Sequence, residues 1–280
     1  RPDDIAALCI RSVVEDAGID PALVDEVILG NANGAGEENR NVARMAWLLN
    51  GYPDTVPGIT VNRLCASGMS AITIASQMIK SGAADIVVAG GVESMSRAPW
   101  VMEKPRTAFA KPGEVFDTSI GWRFVNPAFV EGPLSRDGKA TYSMPETAEN
   151  VAEDFAISRA DQDRFALASQ SKAVAAQRAG FFDAEITPVT LQQKKGDPVV
   201  VAQDEHPRET SQEALARLKP VTRADGGKTG VLEPHELDDE YFMLRVRIDG
   251  GQLTTAQLRV IEAARGFLAV AGDERDSVAL

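Results

Sequence analysis

Cys65 stands where an extended segment changes into a helix. Val61 to Leu64 reads as the end of a strand, and residues 66–80 carry apolar side chains at helical spacing. A thiol in the first turn of a helix faces unpaired backbone N–H groups and the positive end of the helix dipole, which favour the thiolate. The same N–H groups can stabilise the oxyanion that forms when a thiolate attacks a carbonyl carbon. The pattern therefore indicates a nucleophile.

An isolated cysteine is most often a small buried hydrophobe, and this alternative applies to both cysteines of the chain. Cys9 occupies an apolar position in the middle of a predicted helix, so we interpret it as a core residue. Cys65 differs because the small residues at 66–68 leave room for a substrate to reach the sulfur. The polar neighbours are interpreted as shaping the loop rather than as chemical groups: Asn62, Arg63 and Ser67.

Strand and helix patterns alternate along the first part of the chain, which predicts an α/β fold with a mostly parallel sheet. We expect three layers over residues 1–95. The predicted elements are a helix over 4–17 closed by Gly18, a strand at 27–29, a helix over 37–49 ended by Asn50 and Gly51, a strand over 57–62, the helix after Cys65, and a strand from 84 that runs into Gly90 and Gly91. We expect that glycine pair to form a tight turn from the strand into a loop. The alternative, a phosphate-binding loop, is weakly supported by two adjacent glycines without a longer motif.

The later part of the chain follows a different pattern. Residues 96–145 mix Pro, Gly, aromatic and charged residues without a clear period, which predicts an inserted subdomain. The further predicted elements are a helix over 145–155, a helix capped by Ser158 with Asp161 three residues on and ended by Gly180, a hairpin turning at 195–197, a strand over 241–248 and a helix over 253–270.

Composition limits the classes of function. The chain has 280 residues and a formal net charge of −12, which argues against a general affinity for nucleic acid or for anionic membranes. Two cysteines without a CxxC spacing predict neither a disulfide framework nor a metal site, and favour a reducing, cytoplasmic setting. The acidic N-terminal segment does not resemble a signal peptide, and no long apolar run suggests a membrane span.

Several motifs occur in the order typical of one family. The stretches "VNRLCASGMSA", "ADIVVAGGVESMSRAPWVM", "SMPETAENVAEDF" and "SRADQDRFALASQ" closely resemble the thiolase family, and "DTSIGWRFVNP" is most similar to its 3-oxoadipyl-CoA branch. The resemblance covers residues 1–230. It implies a thiolase-like layered αβα domain over 1–95, a loop domain that binds coenzyme A over 96–230, and a non-thiolase tail over 231–280.

The resemblance also implies roles for single residues. Thiolases are acyltransferases that make or break a carbon–carbon bond next to a thioester, and Cys65 matches the cysteine that carries the acyl group, with its own N–H in the oxyanion hole. Met144 matches a position that packs on the pantetheine arm, and Arg208 one near the nucleotide end of coenzyme A. Packing for Met144 and a solvated charge for Arg208 remain the alternatives. Ser143 stands where many relatives have His, and His206 is interpreted as an exposed polar residue.

Coenzyme A is implied as a substrate, with no separate cofactor or metal. The expected partners are acyl-CoA, coenzyme A and further copies of the chain, without nucleic acid or membrane.

The chain departs from the family pattern at both ends. Relatives begin with a strand that precedes residue 1 of this chain, and they continue into a second domain whose His and Cys complete the site. That His activates the nucleophile, and that Cys moves a proton of acetyl-CoA. The sequence has only His206 and His235, and no cysteine follows Cys65. We therefore expect this chain alone to have little or no thiolase turnover.

The tail over 234–261 weakly resembles the ferredoxin-like half-domain of nitrite and sulfite reductases, without their cluster-ligating cysteines. We expect residues 241–248 to fill a sheet position left vacant by the missing strands. Three functions from different classes stay open on the sequence: a thiolase-type acyltransferase, an inert acyl-CoA-binding remnant, and a chimeric chain that folds only partly.

Overall fold

The computed structural model describes residues 1–132, 135 and 141–223, together with the backbone of residues 241–245. Its helices and strands follow in chain order: α1 (Pro2–Ala17), β1 (Glu26–Gly30), α2 (Val42–Leu49), β2 (Gly58–Val61), α3 (Ser67–Lys80), β3 (Val87–Ser94), β4 (Trp100–Met102), β5 (Val115–Asp117), α4 (Pro127–Val130), α5 (Met144–Asp154), α6 (Arg159–Arg178), β6 (Val189–Leu191), β7 (Val199–Val201), α7 (Gln212–Ala216) and β8 (Tyr241–Arg245). The predicted helix over 253–270 lies outside the described residues.

The chain divides into two compact units. The first contains Arg1–Arg97, Gly180–His206 and strand β8, and the second contains Ala98–Ala179 and residues 207–223. This division groups residues that pack together, and it does not test the domain boundaries predicted from the sequence. The domains over 1–95, 96–230 and 231–280 remain predictions.

A four-stranded sheet forms the centre of the first unit, in the order β2-β1-β3-β8. Strand β1 pairs in parallel with both neighbours, so that Ile28 lies opposite Ile59 on one side and Ala89 on the other. The parallel α/β sheet predicted from the alternation of elements is confirmed. Strand β8 joins the free edge of β3 in the antiparallel direction. The segment predicted to enter a sheet therefore does so over Tyr241–Arg245.

The two faces of the sheet are covered by different helices. Val27 and Leu29 of β1 belong to one buried cluster with residues of α1 and α2, whereas Ile28 belongs to a second cluster with residues of α3. Successive side chains of a strand point to opposite faces, so this alternation places helices on both sides of the sheet. Trp47 of α2 is fully buried, and its indole N–H donates to the carbonyl of Pro53 at 2.8 Å. The layered αβα arrangement follows.

Several local predictions are confirmed in detail. Helix α1 ends at Ala17 and is capped by Gly18, which has the left-handed φ of 63° expected of a glycine at this position. Ser158 caps α6 by accepting a hydrogen bond from the N–H of Asp161. Strands β6 and β7 form the predicted antiparallel hairpin, and Gly196 in its turn has a φ of 94°.

Two local predictions are wrong. The helix expected to start at residue 37 starts at Val42, because Asn41 caps it by accepting from the N–H of Arg44, and Asn39 and Arg40 before it have left-handed φ values. The glycine pair expected to form a turn lies inside β3. A β-carbon added at Gly91 would lie 3.0 Å from the carbonyl oxygen of Gly30, so a glycine there allows close packing while the strand continues.

Polar contacts within α6 and between α6 and α7 stabilise the second unit. Arg159 of α6 donates to the buried carboxylate of Asp163 at 2.7 Å and to the carbonyl of Leu215 in α7 at 2.5 Å. Strands β4 and β5 pair as a short antiparallel hairpin. Among the residues that the structure describes, no helix has both the length and the apolar character needed to span a membrane.

Glu37 in the first unit binds two arginines. Arg97 donates to its carboxylate at 2.5 and 2.6 Å, and Arg1 at 3.2 Å. The hydrogen bond from Arg97, together with the positive charges of both arginines, lowers the pKa of Glu37 from 4.5 to about 2 against the opposing effect of burial. Because the pKa is lower in the folded state, this carboxylate stabilises the fold above pH 4.5 and loses its effect as the pH falls through about 2.

We expect the variant Glu37→Gln to melt at a lower temperature than the parent protein at pH 7, with the difference closing between pH 4.5 and about 2. Thermal unfolding at a series of pH values checks this. Glu103→Gln is the control, because Glu103 forms an exposed ion pair with Arg106 that is worth less than about 1 kcal/mol. A difference for Glu37→Gln that is as large at pH 2 as at pH 7 would contradict the prediction.

Candidate active site

Cys65 lies in the turn of residues 62–66 that connects β2 to α3, and its side chain is exposed. Helix α3 begins at Ser67 with Ala66 as its N-cap, so Cys65 precedes the first helical turn instead of lying within it. The reason is that the chain first closes two tighter turns, with the N–H of Ala66 bound to Arg63 and that of Ser67 bound to Leu64. The predicted change from strand to helix around Cys65 is confirmed. The prediction that Cys65 lies in the first turn of the helix is wrong, because it lies two residues before the helix begins.

Leu64, the residue before the cysteine, has a φ of 50°. A non-glycine residue in this left-handed region costs about 1–3 kcal/mol and persists only where its surroundings impose it. The side-chain oxygen of Asn62 accepts a hydrogen bond from the N–H of Leu64 at 2.9 Å, which closes the turn. The side chain of Leu64 is 66% exposed, so apolar packing does not supply the constraint.

Ser67 stabilises the turn through hydrogen bonds of its side chain. Its hydroxyl donates to the carbonyl of Leu64 at 2.6 Å and accepts from the N–H of Arg63 at 2.8 Å, and the residue is 5% exposed. The side-chain amide of Asn62 donates to the carbonyl of Ala32 at 2.9 Å, which ties the turn to the loop after β1. The interpretation of these polar residues as shaping the loop is confirmed by their hydrogen bonds, with Arg63 contributing through its backbone.

Glycines let the first turn of α3 lie directly on the ends of two strands. A β-carbon added at Gly30 would lie 2.3 Å from the backbone nitrogen of Gly68 and 2.3 Å from the carbonyl carbon of Ser67. A β-carbon at Gly91 would lie 3.5 Å from the Cα atom of Gly68. The position of the helix start, and of Cys65 before it, therefore depends on the absence of side chains at the ends of β1 and β3.

Glu93 holds the loop that follows β1. Its carboxylate accepts from the N–H of Ala32 at 2.6 Å and from that of Asn33 at 3.2 Å, one oxygen for each donor. Burial raises the pKa of Glu93, and these two hydrogen bonds partly oppose that effect. The side-chain amide of Asn31 donates to the carbonyl of Val92 at 2.8 Å and adds a second link between the loop and β3.

Met144 and Arg208 belong to the second unit, whereas Cys65 belongs to the first. Met144 is the first residue of α5, follows the N-cap Ser143, and is 56% exposed. The backbone N–H of Arg208 donates to the side-chain oxygen of Gln170 in α6 at 2.9 Å, and Arg208 is half-buried. The assignment of both residues to coenzyme A remains a prediction.

Helix α5 is braced by an arginine from farther along the chain. Arg223 donates to Asn150 at 2.7 Å, to Glu153 at 3.0 Å and to Glu146 at 3.4 Å. These bonds fix the helix that begins with Met144.

His206, predicted to be exposed, is half-buried. In the part of the chain that the structure describes, no three His, Cys, Asp or Glu side chains are grouped so that they could hold a metal ion.

Two residues of the site were not identified from the sequence. Glu93 follows a buried strand segment, and an isolated acid there is ordinarily interpreted as solvated. Gly30 ends β1, where a glycine is ordinarily interpreted as part of the following turn. The available signal was that both lie at the carboxyl ends of adjacent strands, the edge at which parallel sheets place their sites.

The chain matches the family described as "Thiolase, N-terminal domain" over residues 1–231. It is 56% identical over 223 residues to a "Beta-ketoadipyl-CoA thiolase" of Pseudomonas aeruginosa, covering 79% of this chain and 54% of that protein. It is 53% identical over 228 residues to a "3-oxoadipyl-CoA/3-oxo-5,6-dehydrosuberyl-CoA thiolase" of Escherichia coli, covering 81% of this chain and 55% of that protein. This chain thus spans about half the length of the curated relatives that it matches.

A crystal structure of the acetyl-CoA acetyltransferase of Bacillus anthracis superposes with a TM-score of 0.69 at 39% sequence identity. The superposition covers 81% of this chain and 54% of that one.

Proposed function

The chain belongs to the thiolase family, and on that basis we propose that Cys65 is the nucleophile that carries the acyl group in thiolase-type acyl transfer. The observation that carries the proposal is the exposed thiol of Cys65, held before α3 by a turn whose strained residue, Leu64, is fixed by hydrogen bonds. Backbone strain that the surroundings impose is typical of positions where orientation serves function.

The chemistry that this arrangement supports has two steps. The Cys65 sulfur attacks the 3-oxo carbon of a 3-oxoacyl-CoA, the bond between carbons 2 and 3 breaks, and the released acetyl-CoA carbanion takes up a proton. The acyl group then forms a thioester with the cysteine. The thiol of coenzyme A attacks that thioester, and a new acyl-CoA leaves. The proton lost by the coenzyme A thiol is taken up by the sulfur of Cys65, which returns to the free thiol. We propose that the backbone N–H of Cys65 stabilises the oxyanion in both steps, because the N–H groups of Ala66 and Ser67 are bound to carbonyls of the turn.

The names of the relatives support a substrate class. Two relatives that are more than half identical to this chain over the aligned residues are named for beta-ketoadipyl-CoA and 3-oxoadipyl-CoA. We propose a 3-oxoacyl-CoA of this kind, with coenzyme A contacted by Met144 and Arg208. The chain is proposed to act with further copies of itself, without a metal or a separate cofactor. A reducing, cytoplasmic setting remains a prediction from the cysteine content.

Binding of acyl-CoA without turnover is the second candidate function. It is supported by the length of the match, since the chain spans about half the length of the curated relatives that it matches. Thiolase catalysis requires a residue that moves the α-proton of acetyl-CoA, in addition to the nucleophile.

The proposal is tested by acylation of the purified protein with acetyl-CoA. We expect an acetyl adduct in the intact mass after an acid quench, mapped to the peptide that contains Cys65, because the thiol attacks the thioester and releases coenzyme A. Acetyl-CoA is also expected to slow the alkylation of Cys65 by iodoacetamide. Cys9, which is less exposed in α1, is the internal control and should show neither effect. Binding of acetyl-CoA with no adduct would support the second candidate, and neither binding nor adduct would contradict both.

A further inference from the structure

A continuous series of hydrogen bonds connects Glu93 at the end of β3 to the turn that contains Cys65. The carboxylate accepts from the N–H of Ala32 at 2.6 Å, and the carbonyl of Ala32 accepts from the side chain of Asn62 at 2.9 Å. The oxygen of the same Asn62 side chain accepts from the N–H of Leu64 at 2.9 Å. Three segments that are far apart in sequence are joined in this way.

We propose that Glu93 is a positioning residue for Cys65, acting through Ala32 and Asn62. This proposal rests on the proposed function of Cys65 as the acyl carrier. Its effect is to fix the peptide group that orients Asn62, because its carboxylate binds the N–H of Ala32 and the carbonyl of Ala32 binds Asn62. Asn62 then holds Leu64 in its left-handed conformation, which sets the direction in which the next side chain leaves the turn.

A carboxylate suits this position because two backbone donors converge on it. The N–H groups of Ala32 and Asn33 each bind one oxygen of Glu93. A glutamine of the same shape offers one acceptor, and its NH₂ group would face the second donor. Hydrogen bonds to an ionised acceptor are about twice as strong as neutral ones. The loop after β1 therefore gains a rigidity that a neutral side chain would not give it.

The competing explanation is that Glu93 only closes its own loop and stabilises the fold in general. In that case its substitution would lower stability without a specific effect on the cysteine. The substitution of Asn62 would then act independently of it.

The test compares Glu93→Gln with Glu93→Asp in the full chain. We expect Glu93→Gln to slow the acetylation of Cys65 about tenfold at saturating acetyl-CoA, with the half-saturating concentration unchanged, because the proposed role of Glu93 is exerted through the turn. Glu93→Asp keeps two carboxylate oxygens and should recover part of the rate. An unchanged rate in Glu93→Gln would overturn the proposal, and so would equal losses in both variants.

A double-mutant cycle tests the route. Asn62→Asp keeps the oxygen that accepts from Leu64 but replaces the group that donates to Ala32, so it breaks the same connection as Glu93→Gln. The double variant is expected to be no slower than the slower single variant, within a factor of two, since residues that act through one connection are not additive. If the double variant is slowed by the product of the two single-variant factors, the two residues act independently and the proposal is overturned.

Glu37→Gln is the matched control for a general loss of stability, because Glu37 binds Arg97 and Arg1 and none of the residues in this connection. Its acetylation rate should equal that of the parent protein, and a tenfold loss there as well would overturn the proposal.

The rate of iodoacetamide labelling separates this proposal from the proposed function. Labelling of Cys65 requires no acyl transfer. If the parent protein forms no acetyl adduct, the function fails, while slower labelling of Cys65 in Glu93→Gln and unchanged labelling of Cys9 would still support positioning. Equal labelling of Cys65 in both proteins would overturn it.

Discussion

Replacing Cys65 by alanine is expected to abolish the acetyl adduct of this protein. The sulfur of Cys65 is the atom proposed to form the thioester, and the other cysteine of the chain lies in α1. We expect the adduct formed from acetyl-CoA to fall by a factor of more than about 1,000, below detection in the intact mass. The melting temperature should change little, since substitutions of exposed residues are usually within about 0.5 kcal/mol of neutral.

Two further variants give this experiment its controls. Cys9→Ala should keep the adduct in full, because Cys9 is placed in α1, away from the turn before α3. Cys65→Ser preserves the size of the side chain with a much weaker nucleophile and should form an adduct only slowly, if at all. An adduct that persists in Cys65→Ala would show that another group accepts the acyl chain, and the proposed function would be wrong.

Replacing Gly30 by alanine is expected to be the most destabilising single methyl addition at the site. The new carbon would lie 2.3 Å from two backbone atoms of α3, and neither partner can retreat easily, because β1 is paired on both sides and α3 is packed on the sheet. Overpacking of a well-packed core costs about 1–3 kcal/mol and occasionally more. We expect about 3 kcal/mol, measured by urea unfolding. The displaced start of α3 should also slow the alkylation of Cys65.

Gly34→Ala is the matched control for this substitution. Its new carbon would lie 3.5 Å from the nearest atom, the side-chain oxygen of Asn31, which is an ordinary contact. Loss of chain entropy in the unfolded state favours alanine over glycine by about 0.4–1 kcal/mol where no clash occurs. Gly34→Ala should therefore be neutral or slightly stabilising. Similar losses for the two variants would show that the steric explanation is wrong.

Hydrophobic pattern alone predicted most of the elements of the first unit. Buried residues of α1 recur at Ala6, Ile10 and Val14, which is the spacing of one helical face. The continuous apolar stretch of β1 predicts a strand buried on both faces, and such strands occur in parallel sheets with helices on either side. Local rules also placed the ends of helices, at Gly18 and at Ser158, because capping depends on residues within a few positions of each other.

The sequence failed where a long-range contact decided the conformation. The glycines at 90 and 91 read as a turn, but they continue β3, because close approach to β1 and α3 requires positions without side chains. The residues before α2 read as helical, but a cap and two left-handed residues hold them outside the helix. Each of these outcomes depends on which segments are neighbours in space, and residue types within a short window do not contain that information.

The sequence by itself determined the family of this protein, the α/β alternation of its first unit, and the cysteine at the junction of β2 and α3. Only the tertiary structure decided how that cysteine is presented. Leu64 is held in a strained conformation by Asn62, and Asn62 is oriented by a loop that Glu93 fixes from another strand. The physical reason is that helices and strands follow from periodic burial and local hydrogen bonds, whereas a strained turn is stable only when several segments that are distant in the chain converge on it.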